Sequence, residues 1–249
     1  MDATYQQQFE IRSYEIDSTG KIKLAAILNY LQEVANQHAT RLGASVVDLF
    51  PKNLTWVLSR YHIKIFNYPS WGETIQINTW PSAIQNLFAL REFEMVNNKN
   101  EKFSIATSSW MMVDFKKKQP VRPKDHLPQF QHRTERVIPD NFDSISVVKK
   151  PDLELPFRVR MADLDLNQHV NHVSYIEWAI EAMPAEILKN YRPKHMEISF
   201  RGEAIYGDKI LSRTQILDNS EQPSYLHQIV KEKNNKELTR LKTKWQRFI

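Results

Sequence analysis

Cysteine is absent from this sequence. Disulfides, thiolate metal sites and a cysteine nucleophile are therefore excluded, and a reducing compartment is permitted. Glycine is scarce, with five residues in 249, and neither a Walker-type loop nor a dinucleotide fingerprint is present. No apolar run approaches the roughly 18 residues needed to cross a bilayer, so no membrane partner is expected. The opening stretch, MDATYQQQFEIRSYEID, lacks the basic start and apolar centre of a secretory leader, and the expected location is cytoplasmic. Acidic residues are outnumbered, 29 against 34 Lys and Arg. The resulting net charge of +5 favours an acidic partner weakly.

Hydrophobic residues make up 41% of the chain, enough for a packed core in one large domain or two small ones. Alternation with a period of two runs through QFEIRSYEI (residues 8–16), SRYHIKIF (59–66) and ETIQINTW (73–80). It returns in LPFRVRM, HMEISFR, KILSRTQIL and YLHQIVKE. These read as half-buried strands of antiparallel sheets. Two helical patterns interrupt them: LAAILNYLQEVANQHATRLG, with Gly43 as its C-terminal stop, and VNHVSYIEWAIEAM, stopped by Pro184.

The order strand, helix, several strands thus occurs twice, and the halves align. HIKIFNYPSWGETIQI from His62 matches EISFRGEAIYGDKILS from Glu197, an offset of 135. FEIRSYEID from Phe9 matches FRVRMADLD from Phe157, an offset of 148. The difference places extra residues in the first copy after its helix, around ASVVDLFPKNLTW. Between the copies lies a Pro-rich, charged stretch with little periodicity, read as a linker. The organisation expected is residues 1–132, a linker at 133–150, and residues 151–249. In the second helix Val173, Ile176, Ala179, Ile180 and Met183 cover much of the circumference, with Tyr175 and Trp178 adding bulk, so other structure must wrap it. A curved antiparallel sheet around one central helix satisfies both patterns. The fold class is α+β: a hotdog unit, twice.

ADLDLNQHVNHVSYIEW (residues 162–178) crowds carboxylates, Asn and His at the start of that second helix. A calcium loop would require Gly where Gln168 stands and Glu where Ser174 stands. His169 and His172 have no well-placed third zinc ligand, so neither metal nor cofactor is expected. A helix cap is the plain alternative, with Asn167 or Asn171 accepting from backbone N–H groups and Asp163 or Asp165 facing the helix dipole. Capping does not explain Asp165, Asn167 and His169 at two-residue spacing, which in extended chain would share one face. The first copy has Asp17, Thr19 and Lys21 there. On the residues alone, capping and catalysis stay equally open.

DLDLNQHVNHVSYIEW, together with FEIRSYEID, LTWVLSRYHIKIFNYPSWGETIQINTW and SFRGEAIYGDK, resembles the acyl-ACP thioesterases of plant plastids and some bacteria, in family-like order over nearly the whole chain. The resemblance implies a tandem hotdog with an acyl-chain pocket in the first unit and catalysis in the second. It implies hydrolysis of acyl-ACP to free fatty acid in fatty acid biosynthesis, by catalytic residues Asp165, Asn167, His169 and Glu203. It implies an acyl carrier protein as partner, and is compatible with a homodimer. Ala204 stands where the plant enzymes carry a Cys beside the acid, so any hydrolysis here proceeds without a thiol nucleophile. An early start to the pattern fits a bacterial cytosolic form without a transit segment.

A thioester leaves as a thiolate of pKa about 8.5, so no strong general acid is demanded. Glu203 can activate water, alone or with His169, Asn167 can fix water or carbonyl, and Asp165 can orient its neighbours. Backbone N–H groups near Val170 and Asn171 are expected to face the oxyanion. The alternatives are an acyl-CoA thioesterase of the same fold and a catalytically dead carrier-binding protein. Basic clusters at Lys116–Lys118, Arg122 and Lys124, at Lys149 and Lys150, and at Arg240, Lys242, Lys244 and Arg247 are the expected docking charges. They lack the aromatic interleaving or motif that nucleic-acid binding would call for.

Overall fold

The computed structural model describes residues 3–130 and 133–248. The chain divides into two compact units, residues 1–141 and 142–249. The boundary expected after residue 132 falls at residues 131 and 132, outside the described residues.

The first unit runs β1 (Tyr5–Glu10), α1 (Leu24–Arg41), α2 (Val46–Leu49), β2 (Leu54–Ile65), β3 (Thr74–Gln85), β4 (Phe88–Asn97), β5 (Lys102–Asp114) and β6 (Gln119–Val121). Its antiparallel strands lie in the order β1-β3-β4-β5-β2, with β6 on β5. The second unit runs β7 (Leu153–Arg158), α3 (His172–Glu181), α4 (Ala185–Asn190), β8 (Tyr191–Phe200), β9 (Lys209–Asp218), β10 (Ser224–Lys231) and β11 (Glu237–Arg247). Its order is β7-β9-β10-β11-β8, the same path in antiparallel pairs. Each unit is one hotdog, and the chain is an α+β double hotdog.

Alternation sets which strand face meets the helix. Ile75 and Ile77 of β3, and Phe93 and Met95 of β4, are buried, and α1 packs against β1 and β3. In α1 the buried residues Ile27, Leu28, Leu31, Val34 and Ala35 recur at helical spacing. Gly43 follows the helix with φ 66°, donating its N–H to the Thr40 carbonyl, the left-handed stop glycine adopts most readily. The second helix, α3, packs against β9 and β10 and is buried on most sides, with Glu177 exposed.

Two expectations are corrected. The strand expected over residues 8–16 ends at Glu10. The Glu15 carboxylate there accepts from the Arg12 N–H at 2.8 Å and folds residues 13–15 into a single 3-10 turn. The stretch expected to be a linker is also anchored from both ends. Arg136 pairs at 2.7 Å with Glu92, a fully buried carboxylate that also accepts from Ser82, Thr107 and the Val137 N–H. Burial pushes the Glu92 carboxyl above the usual carboxylate range. Arg133 lies 4.0 Å over the Trp80 ring, and Asp140 meets His62 Nδ1 at 2.6 Å. In the second unit, Ile145 and Val148 pack on Leu226.

Candidate active site

Asp165, Asn167 and His169 lie in the loop between the bridge partners Leu164 and Val170. The loop is a tight turn, which corrects the extended, one-face geometry read from the spacing. The Asp165 N–H donates to the His169 carbonyl at 2.8 Å, and the Gln168 N–H to the Asp165 carbonyl at 3.1 Å. Gln168 takes a positive φ of 62° to close it. The Asp165 carboxylate accepts the N–H groups of Asn167 at 2.8 Å and His169 at 3.4 Å. This is the local side-chain-to-backbone bonding by which Asp stabilises turns.

Other polar groups at the entrance to α3 have structural partners. Asn171 is the N-cap, its side chain accepting from the Val173 N–H at 2.9 Å. Asp163 is buried and grips Arg160 through both the backbone N–H at 2.7 Å and the guanidinium. The capping reading therefore belongs to Asn171, and the side chain of Asn167 is left exposed to solvent.

Glu203 arrives from the segment after β8. That segment is fixed at Ala204, whose carbonyl accepts the Val170 N–H at 3.0 Å and whose own N–H donates to the Tyr175 hydroxyl at 2.9 Å. His169 Nε2 consequently lies 3.5 Å from Glu203 Oε2. Both side chains are open to solvent, at 39% and 58% exposure, so water reaches them. A separation of this size closes to a hydrogen bond with a small side-chain adjustment, as sites without substrate commonly require.

Two further findings reshape the site. The Val170 and Asn171 N–H groups, expected to face an oxyanion, donate to the backbone carbonyls of Ala204 and Asp163. Neither N–H is therefore free to meet an oxyanion, whereas the Asn167 side chain is open to solvent. Tyr175, taken as bulk in the sequence, instead holds the segment that carries Glu203. Burial pushes its phenol pKa well up. A tyrosine among the aliphatic positions of a buried helix was the available signal, since a buried phenol needs a polar partner. Among the described residues, no group of three His, Asp or Glu side chains is placed to hold a metal ion.

The model of the acyl-ACP thioesterase N-terminal domain matches residues 2–129, and that of the C-terminal domain matches residues 148–247. The chain belongs to the acyl-ACP thioesterase family. Among curated relatives in that family, the oleoyl-acyl carrier protein thioesterase 1 of Arabidopsis thaliana is 32% identical, covering 85% of this chain and 63% of its own length. The palmitoyl-acyl carrier protein thioesterase of Gossypium hirsutum is 29% identical over 87% of this chain and 56% of its own. The chain thus spans 56–63% of the length of these plant relatives, which are chloroplastic. A Lactobacillus plantarum structure, provisionally assigned as an oleoyl thioesterase, superposes with a TM-score of 0.89 at 25% identity, covering 99% of this chain and 97% of that one. The 12:0-ACP thioesterase of Umbellularia californica gives a TM-score of 0.87 at 22% identity, over 99% and 95%, and shares the fold. Among the described residues no helix is long and apolar enough to cross a membrane.

Proposed function

We propose that this protein hydrolyses the thioester of an acyl-ACP to free fatty acid and carrier, acting in the cytoplasm. The observation that carries the reading is the approach of His169 to Glu203, 3.5 Å apart, beside an uncommitted Asn167 amide in a loop held by backbone bonds. Family membership supports the reaction class. Glu203 and His169 together activate a water that attacks the thioester carbonyl. The Asn167 amide donates to the developing oxyanion, an interaction worth about 3 kcal/mol in comparable sites. Asp165 acts through the loop, holding Asn167 and His169 by their N–H groups. The thiolate then departs and is protonated from solvent, since its pKa asks for no strong acid. With cysteine absent from the chain, no thiolate serves as nucleophile, and the attack is assigned to water.

The acyl chain is assigned to the first unit, where α1 presents Ile27, Leu28 and Leu31 to the interior. The same interior holds Arg91, bonded to His38 at 3.1 Å and Thr79 at 3.2 Å, its guanidinium pKa lowered to about 10 by burial. The basic carrier-docking set loses one member: Arg240 is buried, bound to Glu237 and the Ile145 carbonyl.

Thiol release from one acyl chain on two carriers tests the reading. Turnover is expected on acyl-ACP, well above that on acyl-CoA. Preference for acyl-CoA would move the assignment to a CoA thioesterase, and no release from either would leave a carrier-binding protein.

A further inference from the structure

Beyond the site, the second unit has an open corner between residues 207–209 and residues 231–234, with a volume of about 390 Å³. Three lysines line it, against two carboxylates. Lys231 is held by Asp208 at 2.6 Å, and Asp208 also accepts the Ile205 N–H at 3.0 Å. That pair ties the corner to the segment bearing Glu203. Lys209 meets Glu232 loosely at 3.9 Å, with both side chains exposed. Lys233 has no ion pair among the described residues. Two ammonium groups are therefore available to an anion, beside a third that is fixed.

The first unit supplies an internal control. Ile75 and Ile210 occupy the same place in the two copies, and each pairs with the last residue of the following strand. That residue is Asn97 in one copy and Lys231 in the other. The residue before each Ile is Thr74 in the first copy and Lys209 in the second. Two of the three lysines are thus absent from the copy that also lacks the His and Glu. Position agrees with charge. Gly207 is four residues from Glu203, so the near edge of the corner lies within about 14 Å of it. Ile205 and Tyr206, on the chain between Glu203 and the corner, are exposed, as are Leu166 within the loop, at 98%, and Met161.

We propose that this corner binds the phosphodiester of a pantetheine arm presented by an acidic carrier protein, with the exposed apolar residues lining the path of the arm to Glu203. The proposal rests on the acyl-carrier reading above and names where that substrate is gripped. Lys209 and Lys233 contact the phosphate, Lys231 sets the local potential, and the thioester reaches the water held by His169 and Glu203. The same positive corner favours the approach of an acidic carrier.

The test measures affinity, independent of turnover. The full chain is titrated with 4′-phosphopantetheine and with pantetheine, and the pair is repeated on Lys209→Gln/Lys233→Gln and on Lys99→Gln in the corresponding turn of the first unit. The phosphate is expected to improve affinity about tenfold, the size of a charge-assisted contact. That ratio should fall to near one in the double variant and persist in Lys99→Gln. Competition then identifies the source: holo-carrier should displace phosphopantetheine, and apo-carrier should not. Equal affinity for the two small molecules, a ratio that survives the double substitution, or displacement by coenzyme A without displacement by holo-carrier would each overturn the proposal. A chain that binds as expected but releases no thiol would instead fail the hydrolase reading and leave this site standing.

Discussion

The loops 16–22 and 164–170 are the same piece of backbone made twice. In the first, the Asp17 N–H donates to the Lys21 carbonyl at 2.8 Å, and the Asp17 carboxylate accepts the N–H groups of Thr19 and Lys21 at 2.8 and 3.3 Å. Gly20 closes that turn with φ 78°, where Gln168 closes the other with φ 62°. The Ile22 N–H donates to the Pro69 carbonyl at 2.9 Å, as Val170 does to Ala204 at 3.0 Å. The two turns coincide bond for bond, although Pro69 lacks the N–H that Ala204 donates to Tyr175, and the side chains hung on them differ. Thr19, Lys21 and Tyr68 stand in one copy where Asn167, His169 and Glu203 stand in the other. The aspartate belongs to the shared frame, and the proposed chemistry to the divergent positions.

The largest expected effect falls on those divergent positions. Glu203→Ala and His169→Ala should each lower kcat/KM for acyl-ACP by two to three orders of magnitude with folding retained. Lys21→Ala in the first loop should leave it within about twofold. Similar losses from both loops would erase the distinction and move the site elsewhere.

A second difference is buried. His227 of β10 is fully enclosed between the hydroxyls of Thr214 and Thr243, at the place Phe93 fills in the first unit, each lying opposite a buried Thr. Desolvation lowers the His227 pKa to about 3. Because the folded value lies below the unfolded one, near 6.5, the unfolded chain takes up the proton first. Stability from this group is complete above pH 6.5 and should fall by about 1.4 kcal/mol for each pH unit below it, down to about pH 3. Denaturant melts across pH 7 to 4 read this directly, and His227→Phe should flatten the slope. An unaltered slope would place the acid sensitivity in other groups.

Smaller effects probe the frame itself. Asp17→Ala and Asp165→Ala should each cost about 1 kcal/mol in denaturant melts, since each removes the acceptor for two turn N–H groups. Asp165→Ala should also slow turnover, while Asp17→Ala should not. Asp165→Asn keeps an acceptor oxygen and should hold most of both stability and rate. A hundredfold loss in Asp165→Asn would promote that carboxylate from frame to chemistry. Least of all, Gln168→Gly should gain about 0.5 kcal/mol by relieving a left-handed residue, and Gly20→Ala should lose about 1 kcal/mol. Opposite signs would mean that the two turns are strained differently.

The duplication was legible because its two offsets, set by Phe9 and His62, map onto strands that pair in the same order. The helices were legible from the periodicity of α1 and from Gly43. Local chemistry was harder to see. A strand and an Asp-centred turn can carry the same alternating letters, and Gln168 gives no warning of a positive φ, which non-glycine residues rarely adopt. The engagement of the Val170 and Asn171 N–H groups depends on Ala204 and Asp163, contacts that spacing alone does not reveal. The anchoring of Arg136 on Glu92 and the burial of Arg240 are likewise products of tertiary packing. Charge clusters in sequence pointed to residues 116–124 and the C-terminal strand, whereas the corner at Lys209 and Lys233 is assembled from distant segments.

Ala204 is pinned by its carbonyl to Val170 and by its amide to Tyr175, and none of these bonds passes through the side chains of Asn167, His169 or Glu203. The three can therefore be exchanged without loosening what holds them. For a designer, this makes the loop a socket: new side-chain sets can be installed at positions 167, 169 and 203 and judged on reactivity alone. The sister copy is no such socket, since Tyr68 is buried and Lys21 bonds Ser70, so a second centre there would require repacking as well.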